Sequence, residues 1–295
     1  MDLRHLRCFV AVAEELHFGR AARRLHLSQP PVSQALKELE TELGLRLLER
    51  SSRRIALTPA GAELLRDARA VLSRTESLKE RARAAAQGQG GRLAPGFISL
   101  ATTTYLPRVL KRFTTALPQV QLSLQESTSD RILADLEAGT LDVGCLFAPP
   151  QLPAGLGWRT TAREPLLAAL PADHPAAQLQ RVPLERLEDE RFLAFERHHG
   201  PLMFDTVIAA CMRHGFSPRL FPARQMHTIL SLVSGGVGVA LVPASMQALQ
   251  REGVVLRPLR GERPLVESGV AWRLDDEDAP LVRRLLGEIP FSAPS

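Results

Sequence analysis

The stretch FGRAARRLHLSQPPVSQ, residues 18–34, contains two short helical patterns separated by a two-residue link. In the first pattern, apolar residues recur at the spacing of one helical face, at Phe18, Ala21, Ala22 and Leu25. The second pattern begins at Ser28, a favoured N-cap residue, and has Pro30 and Pro31 in its first turn, where backbone N–H groups have no helical partner. With His26-Leu27 as the link, this stretch predicts a helix-turn-helix.

Apolar stripes before and within this motif supply the core that its helices need. An earlier helix is predicted from residues that share one face, namely Leu3, Leu6, Phe9, Val10, Ala13 and Leu16. In the last helix of the motif, the spacing i, i+4, i+7 and i+11 is occupied by Val32, Leu36, Leu39 and Leu43. We expect all four to face the core of a three-helix unit.

The opposite face of that last helix is polar. It carries Pro30, Gln34, Lys37 and Thr41, with Ser33 at its edge. A glutamine can pair with a base edge in the DNA major groove, while serine, lysine and the helix N-terminus can contact phosphates. We interpret this face as a DNA-contacting surface. The helical pattern alone leaves an alternative open, a three-helix bundle whose polar face is merely solvated.

A two-stranded wing is predicted over residues 46–57, with Ser51-Ser52 at its tip. Arg50, Arg53 and Arg54 cluster there and could clamp the sugar-phosphate backbone. The charge distribution agrees, because residues 1–90 contain 16 Lys/Arg against 11 Asp/Glu, whereas the rest of the chain has 21 of each. The excess positive charge thus lies in the third of the chain that would meet a polyanion.

Residues 18–34, followed by LETELGLRLLER at 39–50 and LTPAG at 57–61, closely resemble the winged helix-turn-helix of LysR-type transcriptional regulators. The resemblance spans residues 1–61 and implies the following DNA contacts: Ser28, Gln29, Pro30, Pro31, Ser33, Gln34, Lys37, Arg50, Arg53 and Arg54. Two positions depart from the family, since many members have Arg in place of Gln34 and Gln in place of Ala35. The preferred operator is therefore the property that transfers least.

A long helix is predicted after the wing, with Thr58 as its cap and Pro59 as its first residue, running to about Ala86. Its apolar seam, which includes Leu65, Ala68 and Leu72 with Val71 and Leu78 beside it, needs a partner helix. Packing onto its own amino-terminal domain is one solution. We favour a two-fold coiled coil broken at Lys79, as the resemblance implies, which gives a homodimer or homotetramer on an interrupted palindrome of double-stranded DNA. RNA polymerase is a further candidate partner.

The glycine-rich stretch at residues 87–91 marks the clearest domain boundary. Beyond it, short strand patterns alternate with helical ones, which favours a doubly wound α/β unit with parallel strands. The predicted strands are 97–101, 120–125, 141–147, 166–170, 219–221 and 237–243, and the predicted helices 106–116, 132–138, 203–214 and 226–234. The domains we expect are 1–58 for DNA binding, 59–90 as linker helix and hinge, and 91–295 as a sensor.

Several classes of protein are excluded because the sequence lacks their motifs. The chain contains neither a phosphate-binding loop nor a G-x-S-x-G nucleophile motif, and Gly235 to Gly238 precede a strand, the wrong order for a dinucleotide site. We expect no cofactor and no metal, because the pair His198-His199 alone supplies too few ligands. The charged amino terminus and the lack of long apolar stretches predict a cytoplasmic protein without membrane contact.

The remaining chain also resembles LysR-type regulators, in motifs that mark their effector domain. These are LPRVLKRF at 106–113, ILADLEAGTLDVG at 132–144, HGFSP at 214–218 and LVSGGVGVALVP at 232–243. The resemblance implies two α/β lobes, similar to periplasmic binding proteins, with an effector cleft between them. Lobe I would comprise 91–163 and 268–295 and lobe II 164–267, so that the chain crosses near Arg163 and returns near Glu267.

Candidate effector contacts follow from strand ends and helix starts. Hydroxyls are offered by Thr102, Thr103 and Thr104 after the first strand and by Ser127 and Thr128 after the next, and apolar walls by Phe147, Phe195, Phe204 and Met226. Helix caps and ordinary core remain the alternatives for these residues. The mixture of hydroxyls and phenyl rings suggests a small organic effector, an aromatic carboxylate in particular.

Two rival functions remain open. A thiol-based redox sensor would use Cys145 or Cys211, although Cys211 lies in an apolar helix where a packed thiol is favoured. An α/β enzyme or binding protein fused to a DNA-binding domain would instead bind or turn over a metabolite. The reading we adopt is an all-α winged helix-turn-helix with a long linker helix, followed by a two-lobed α/β domain like that of periplasmic binding proteins.

Overall fold

The computed structural model describes residues 1–50, 55–86, 90–261 and 263–291, without the side chains of Arg50, Ser77 and residues 80–86. The chain divides into two compact units, Met1–Gly88 with Glu137–Thr140, and Gln89–Leu136 with Leu141–Ser295. We call them the N-terminal and C-terminal units. Among the described helices, none combines the length and the apolar character that a membrane span requires.

The N-terminal unit is built from helices and one small hairpin. Its elements are α1 (Leu3–Glu15), α2 (Phe18–Arg24), α3 (Gln29–Leu43), β1 (Leu48–Arg50), β2 (Ile55–Leu57) and α4 (Pro59–Ala86). The core is centred on Phe9, Val32, Leu36 and Leu39, whose side chains are fully buried. The antiparallel pairing of β1 with β2 confirms the two strands of the predicted wing.

The link between α2 and α3 is tight. Leu25 is the C-cap residue of α2, His26 adopts a left-handed conformation with φ of 55°, and the Leu27 N–H donates to the Ala22 carbonyl over 2.9 Å. Ser28 is the N-cap residue of α3, as predicted, but its hydroxyl makes no capping hydrogen bond. The turn therefore depends on backbone geometry and on the two prolines of the first turn more than on the serine side chain.

One predicted core position in α3 is wrong. Leu43 is 37% exposed, whereas the other three residues of its stripe are buried. Leu43 is the last residue of α3, directly before the left-handed Gly44 that ends the helix. At this position the apolar face of α3 extends beyond the core and is no longer covered by it. Leu3 and Leu16 at or just beyond the ends of α1 are exposed for the same reason.

Helix α4 begins at Pro59, and the Thr58 hydroxyl accepts a hydrogen bond from the Gly61 N–H over 3.0 Å. Its first half packs on α1 through Leu65 and Ala68, and ion pairs join the same two helices, among them Arg69 with Glu14 at 2.7 Å. Packing onto the unit's own core thus accounts for part of the seam. Farther along, Leu78 is 63% exposed.

The C-terminal unit alternates strands and helices. Its strands are β3 (Arg92–Leu93), β4 (Pro95–Phe97), β5 (Gln121–Leu122), β6 (Gln125–Glu126), β7 (Val143–Phe147), β8 (Leu156–Pro171), β9 (Arg191–Ala194), β10 (Arg219–Pro222), β11 (Ala240–Pro243), β12 (Val254–Pro258) and β13 (Leu265–Arg273). Its helices are α5 (Ser99–Thr103), α6 (Leu106–Ala116), α7 (Ser129–Glu137), α8 (Pro201–Arg213), α9 (Met226–Ser234) and α10 (Pro280–Glu288).

Two long antiparallel strands organise this unit into two lobes. In the main sheet, the order is β11-β8-β13-β7-β4-β6, and β12 also pairs with β8. Strand β8 runs antiparallel to β11, β12 and β13, so the expectation of parallel strands throughout is wrong. Parallel pairing is confirmed for strands that a helix connects, as in β4 with β6 and β9 with β10. Arg163 of β8 stands opposite Glu267 of β13.

The glycines at residues 235–238 form a tight turn from α9 to β11. Gly236 has φ of 71°, a left-handed conformation that other residues adopt only with strain. A Cβ atom at Gly238 would lie 2.2 Å from the Arg191 carbonyl oxygen. These glycines are therefore explained by backbone packing, and the rejection of a dinucleotide fingerprint agrees with this geometry.

Candidate functional site

The polar face of α3 is accessible. Gln34 and Lys37 are exposed and Ser33 is half-buried, while Ala35 on the opposite side is buried. Ser28, Gln29 and Pro30 are also exposed, and Pro31 is half-buried. Arg53, Arg54 and the wing tip lie outside the described residues, as does the side chain of Arg50.

Gln34 is held in place by a carboxylate one turn along α3. Its Nε2 donates to Glu38 Oε1 over 2.8 Å, and His5 Nε2 lies 3.0 Å from the other Glu38 oxygen. The hydrogen bonds from Gln34 and His5 hold the pKa of Glu38 below its usual range. When DNA binds, the exposed Gln34 amide can exchange its hydrogen bond to Glu38 for one to a base edge. Gln34 therefore remains accessible to DNA.

A cavity of about 380 Å³, open mouth included, lies in the C-terminal unit. Its walls carry hydroxyls, phenyl rings and a few charged groups. They are formed by Ile98, Ser99, Leu100, Glu126, Ser127, Thr128, Ser129, Phe147, Phe195, His199, Gly200, Arg224, Gln225 and Met226. The helices α7, α8 and α9 all begin in this wall, so their free N–H groups and positive dipole ends meet there.

Four of the predicted effector contacts line this cavity, namely Ser127, Thr128, Phe147 and Met226. Phe195 lines it as well, with its ring centroid 6.4 Å from that of Phe147. Phe204 is half-buried in the first turn of α8 and is not part of the lining.

The position predicted for the three threonines is wrong. Strand β4 ends at Phe97 and α5 already begins at Ser99, so Thr102 and Thr103 lie at the end of that helix instead of its start. Their hydroxyls donate to helix carbonyls, Thr102 to Ser99 over 2.7 Å and Thr103 to Leu100 over 2.8 Å. Thr104 bonds in the same way. A hydroxyl that donates its proton to the preceding turn cannot also donate it to a carboxylate, although its lone pairs can still accept a hydrogen bond.

Sequence analysis missed the residue that does open this helix at the cavity. Ser99 lies two positions after the end of β4 and lines the cavity. The predicted strand ran to residue 101, so Ser99 was placed inside the strand and not after its end. Arg224, Gln225 and His199 were also missed. For the region of His199, the sequence did contain Gly200-Pro201, a pair that is typical of a helix start.

Asp130, in the first turn of α7, faces His199 across the cavity wall. Burial raises the pKa of Asp130, but hydrogen bonds from Thr128 and the Arg131 N–H, together with the facing histidine, outweigh it and lower the pKa on balance. The neighbouring Ser129 hydroxyl accepts from the Phe147 N–H over 3.3 Å. This end of the cavity therefore contains an ionised carboxylate that is already bonded to the chain.

Metal-ligand atoms come together at one place in the described part of the chain. The side chains of Glu196, His198 and His199 offer one ligand atom each, all within 4.8 Å of one another. The adjacent histidines, which the sequence presented as a pair, thus have a third potential ligand.

The cysteines are placed unfavourably for redox chemistry. Cys8, Cys145 and Cys211 are all buried. Burial, partly offset by a hydrogen bond with Tyr105, raises the pKa of the Cys145 thiol to about 11. Burial, partly offset by a backbone hydrogen bond, raises the pKa of the Cys211 thiol to about 12. A thiol that stays protonated and inaccessible is a poor sensor of peroxide.

A helix-turn-helix unit with an accessible polar helix, followed by a two-lobed unit that contains a cavity between helix starts, defines the class of ligand-sensing DNA-binding regulators. The comparisons place the chain within that class. Residues 3–62 match the family described as "Bacterial regulatory helix-turn-helix protein, lysR family", and residues 86–290 match the "LysR substrate binding domain". The chain belongs to the LysR family of transcriptional regulators.

Relatives of full length support this assignment. The chain is 39% identical to the Escherichia coli "Uncharacterized HTH-type transcriptional regulator YnfL", over 96% of each chain. It is 36% identical to the Bacillus subtilis regulator AlsR, over 97% of this chain and 94% of that one. Among solved structures, the LysR family regulator CbnR aligns with a TM-score of 0.74 at 30% identity, covering 98% of both chains. The relatives are regulators, and this chain is a DNA-binding regulator with an effector-binding domain, not an enzyme.

Proposed function

We propose that this regulator binds a small organic carboxylate, with an aromatic carboxylate as the favoured subclass, in the cavity of the C-terminal unit. The bound acid would change how a homodimer engages the two halves of an interrupted palindrome in duplex DNA. The observation that supports this best is the cavity wall, where the starts of α7, α8 and α9 lie beside phenyl rings.

Each part of that wall favours part of such a ligand. The N-terminal ends of helices attract an anion, and the Ser99 hydroxyl can donate to a carboxylate oxygen. Arg224 adds a positive charge, while Glu126 on the same wall disfavours a second negative group nearby. The rings of Phe147 and Phe195 suit an apolar body, because small-molecule sites commonly combine apolar walls with a few polar groups.

The proposed dimer rests on α4. Val71 and Leu78 are exposed on this helix although its first half packs on α1. A second copy of the same helix would cover them and would present two α3 helices at once. The solved structure titled "Crystal structure of full-length CbnR complexed with the target DNA complex", with a TM-score of 0.72, is consistent with such a DNA-bound assembly.

A thermal-shift screen of the full chain against small organic acids tests the ligand assignment. An acid that raises the melting temperature is then titrated against Ser99→Ala and against Thr102→Ala, a matched control in the same short helix. We expect Ser99→Ala to bind the acid about tenfold more weakly, because one hydrogen bond to a charged group is lost. Thr102→Ala should bind it like the wild type. Equal affinities for Ser99→Ala and the wild type would contradict the assignment.

Salt-dependent DNA binding tests the role of α3. Lys37→Ala should reduce the slope of log affinity against log salt by about 0.9, the value for one phosphate contact. Lys111→Ala, which removes the same charge from α6, serves as the control and should leave the slope unchanged. Gln34→Ala should alter preference among operator variants by about 1–3 kcal/mol at one base pair. Identical slopes for Lys37→Ala and Lys111→Ala would remove α3 from the DNA interface.

A further inference from the structure

The segment before α8 brings three metal-binding side chains together. Glu196 Oε2 lies 3.8 Å from His198 Nε2 and 3.5 Å from His199 Nε2. The two imidazole rings lie 3.8 Å apart between centroids, at an angle of 48°. Two imidazole nitrogens and one carboxylate oxygen form a ligand set that suits zinc and neighbouring divalent transition metals.

Two of the three separations are close to those of a loaded site. Ligand atoms bound to Zn²⁺ at about 2.0–2.1 Å in a tetrahedron lie about 3.3 Å apart. The two separations from Glu196 exceed this value by only a few tenths of an ångström. The third, between the two histidine nitrogens, is within 4.8 Å, so the imidazole rings must also turn toward a common ion when it binds.

His199 supplies an independent reason to expect a bound group. Only 13% of its side chain is exposed, and both ring nitrogens are buried without a hydrogen-bond partner among the described residues. Buried polar atoms are nearly always satisfied, and a pair of orphaned nitrogens on one ring needs an explanation. A metal ion at Nε2 would satisfy one of them.

Asp130 can account for the other nitrogen. Its Oδ1, which is itself buried and without a partner, lies 3.5 Å from His199 Nδ1. Metal-bound histidines commonly donate their second N–H to a carboxylate, which fixes the tautomer and the orientation of the ring. Asp130 belongs to α7, whereas the three ligands belong to the segment before α8, so this contact connects two helix starts at the cavity wall.

We propose that Glu196, His198 and His199 bind one divalent transition-metal ion, Zn²⁺ in the first instance, with Asp130 as a positioning residue behind His199. Three protein ligands leave a fourth position for water. Because His199 also lines the cavity, the metal fixes one part of its wall. The site adds a metal-responsive element to the regulator and does not depend on the identity of the organic effector.

The test uses tag-free, full-length protein that has been freed of metal with a chelator. Zn²⁺ is titrated calorimetrically against the wild type, His198→Ala and the control His227→Ala, which removes an exposed histidine of α9 outside the cluster. We expect one tight equivalent per chain for the wild type and the control, and its loss in His198→Ala. His198 is 65% exposed, so its replacement should not change the melting temperature of the metal-free protein. Absence of binding in the wild type, or unchanged binding in His198→Ala, would overturn the site.

Asp130→Asn tests the positioning role. We expect Zn²⁺ affinity to fall about 10- to 100-fold. Because the pKa of Asp130 is lowered, its ionised form stabilises the fold, so the metal-free variant should melt below the wild type, and both affinities are measured at a temperature where each protein is fully folded. Ca²⁺, which prefers oxygen ligands, should not compete with Zn²⁺ in either protein. An Asp130→Asn variant with wild-type affinity would show that the carboxylate does not act on the metal through His199.

Discussion

Replacing Arg273 with methionine should destabilise the C-terminal unit. Arg273 is the last residue of β13, and its side chain is only 10% exposed. The guanidinium Nη1 donates to the carbonyl oxygens of Leu136, over 2.8 Å, and of Leu141. Its Nε donates to Asp276 over 2.5 Å, and its Nη2 lies 3.4 Å from Asp142 Oδ1. One side chain thus joins β13 to the turn after α7 and to two carboxylates.

The expected loss can be estimated from these contacts. Methionine retains the apolar stem, so packing changes little, but two buried carbonyls and two partly buried carboxylates lose a donor. Removing one partner from a buried ion pair costs about 3–5 kcal/mol. Burial already raises the pKa of Asp142, against the lowering effects of the Ala94 N–H and Arg273, and loss of the arginine should raise it further. A carboxyl with a raised folded-state pKa destabilises the fold when ionised, so the deficit should be largest at neutral pH and shrink as the pH falls toward that pKa.

Tryptophan fluorescence during urea unfolding measures this effect selectively. Both tryptophans, Trp158 and Trp272, lie in the C-terminal unit, so the signal reports on that unit alone. We expect the midpoint for Arg273→Met to fall by roughly 1–2 M urea, for an m-value near 3 kcal/mol/M. The control Arg284→Met, which removes an exposed arginine that pairs with the half-buried Glu288 on α10, should shift the unfolding free energy by no more than about 1 kcal/mol. Equal midpoints for the two variants would refute the reasoning.

Three further predictions concern packing, reactivity and acid stability. Leu39→Ala should lower the unfolding free energy of the N-terminal unit by about 2–5 kcal/mol, whereas Leu43→Ala should cost far less, as thermal melts followed by circular dichroism can show. A disulfide reagent should label Cys145 and Cys211 in the folded protein far more slowly than in urea, because both thiols are buried and have raised pKa values; rapid labelling of the native chain would reopen the redox reading. Burial raises the pKa of Glu14, but two arginines outweigh it and leave the pKa lowered, so its stabilising effect is present above the unfolded-state pKa and is lost as the pH falls through the lowered value. Glu14→Gln should therefore melt below the wild type at neutral pH and converge with it in acid.

The helix-turn-helix was predictable because its evidence is local. A 3.6-residue period, a cap residue and two prolines within one turn act on neighbouring residues, and the observed helices begin and end close to the predicted positions. The predicted α6 and α9 coincide with the observed helices for the same reason. The prediction for Leu43 was wrong because the spacing of apolar residues shows which face of a helix is buried. It does not show how far along the helix the core extends.

The cavity shows where local evidence fails. Three consecutive threonines have high strand propensity, yet Thr102 and Thr103 end a helix and Thr104 follows it, because β4 stops at Phe97 and each hydroxyl bonds to the turn before it. The antiparallel pairing of β8 with β13 joins residues about a hundred positions apart, which no periodicity encodes.

The sequence by itself determined the class of this protein: local patterns predicted the helix-turn-helix, and the two-lobed α/β sensor followed from short motifs that resemble those of LysR-type regulators. Only the tertiary structure decided which side chains share a wall. Asp130 lies beside His199, 69 positions away in the sequence, and Glu196 adds a third metal-ligand atom to the adjacent histidine pair. Such meetings depend on how strands and helices pack in three dimensions, and the free energy of that packing is spread over the whole core.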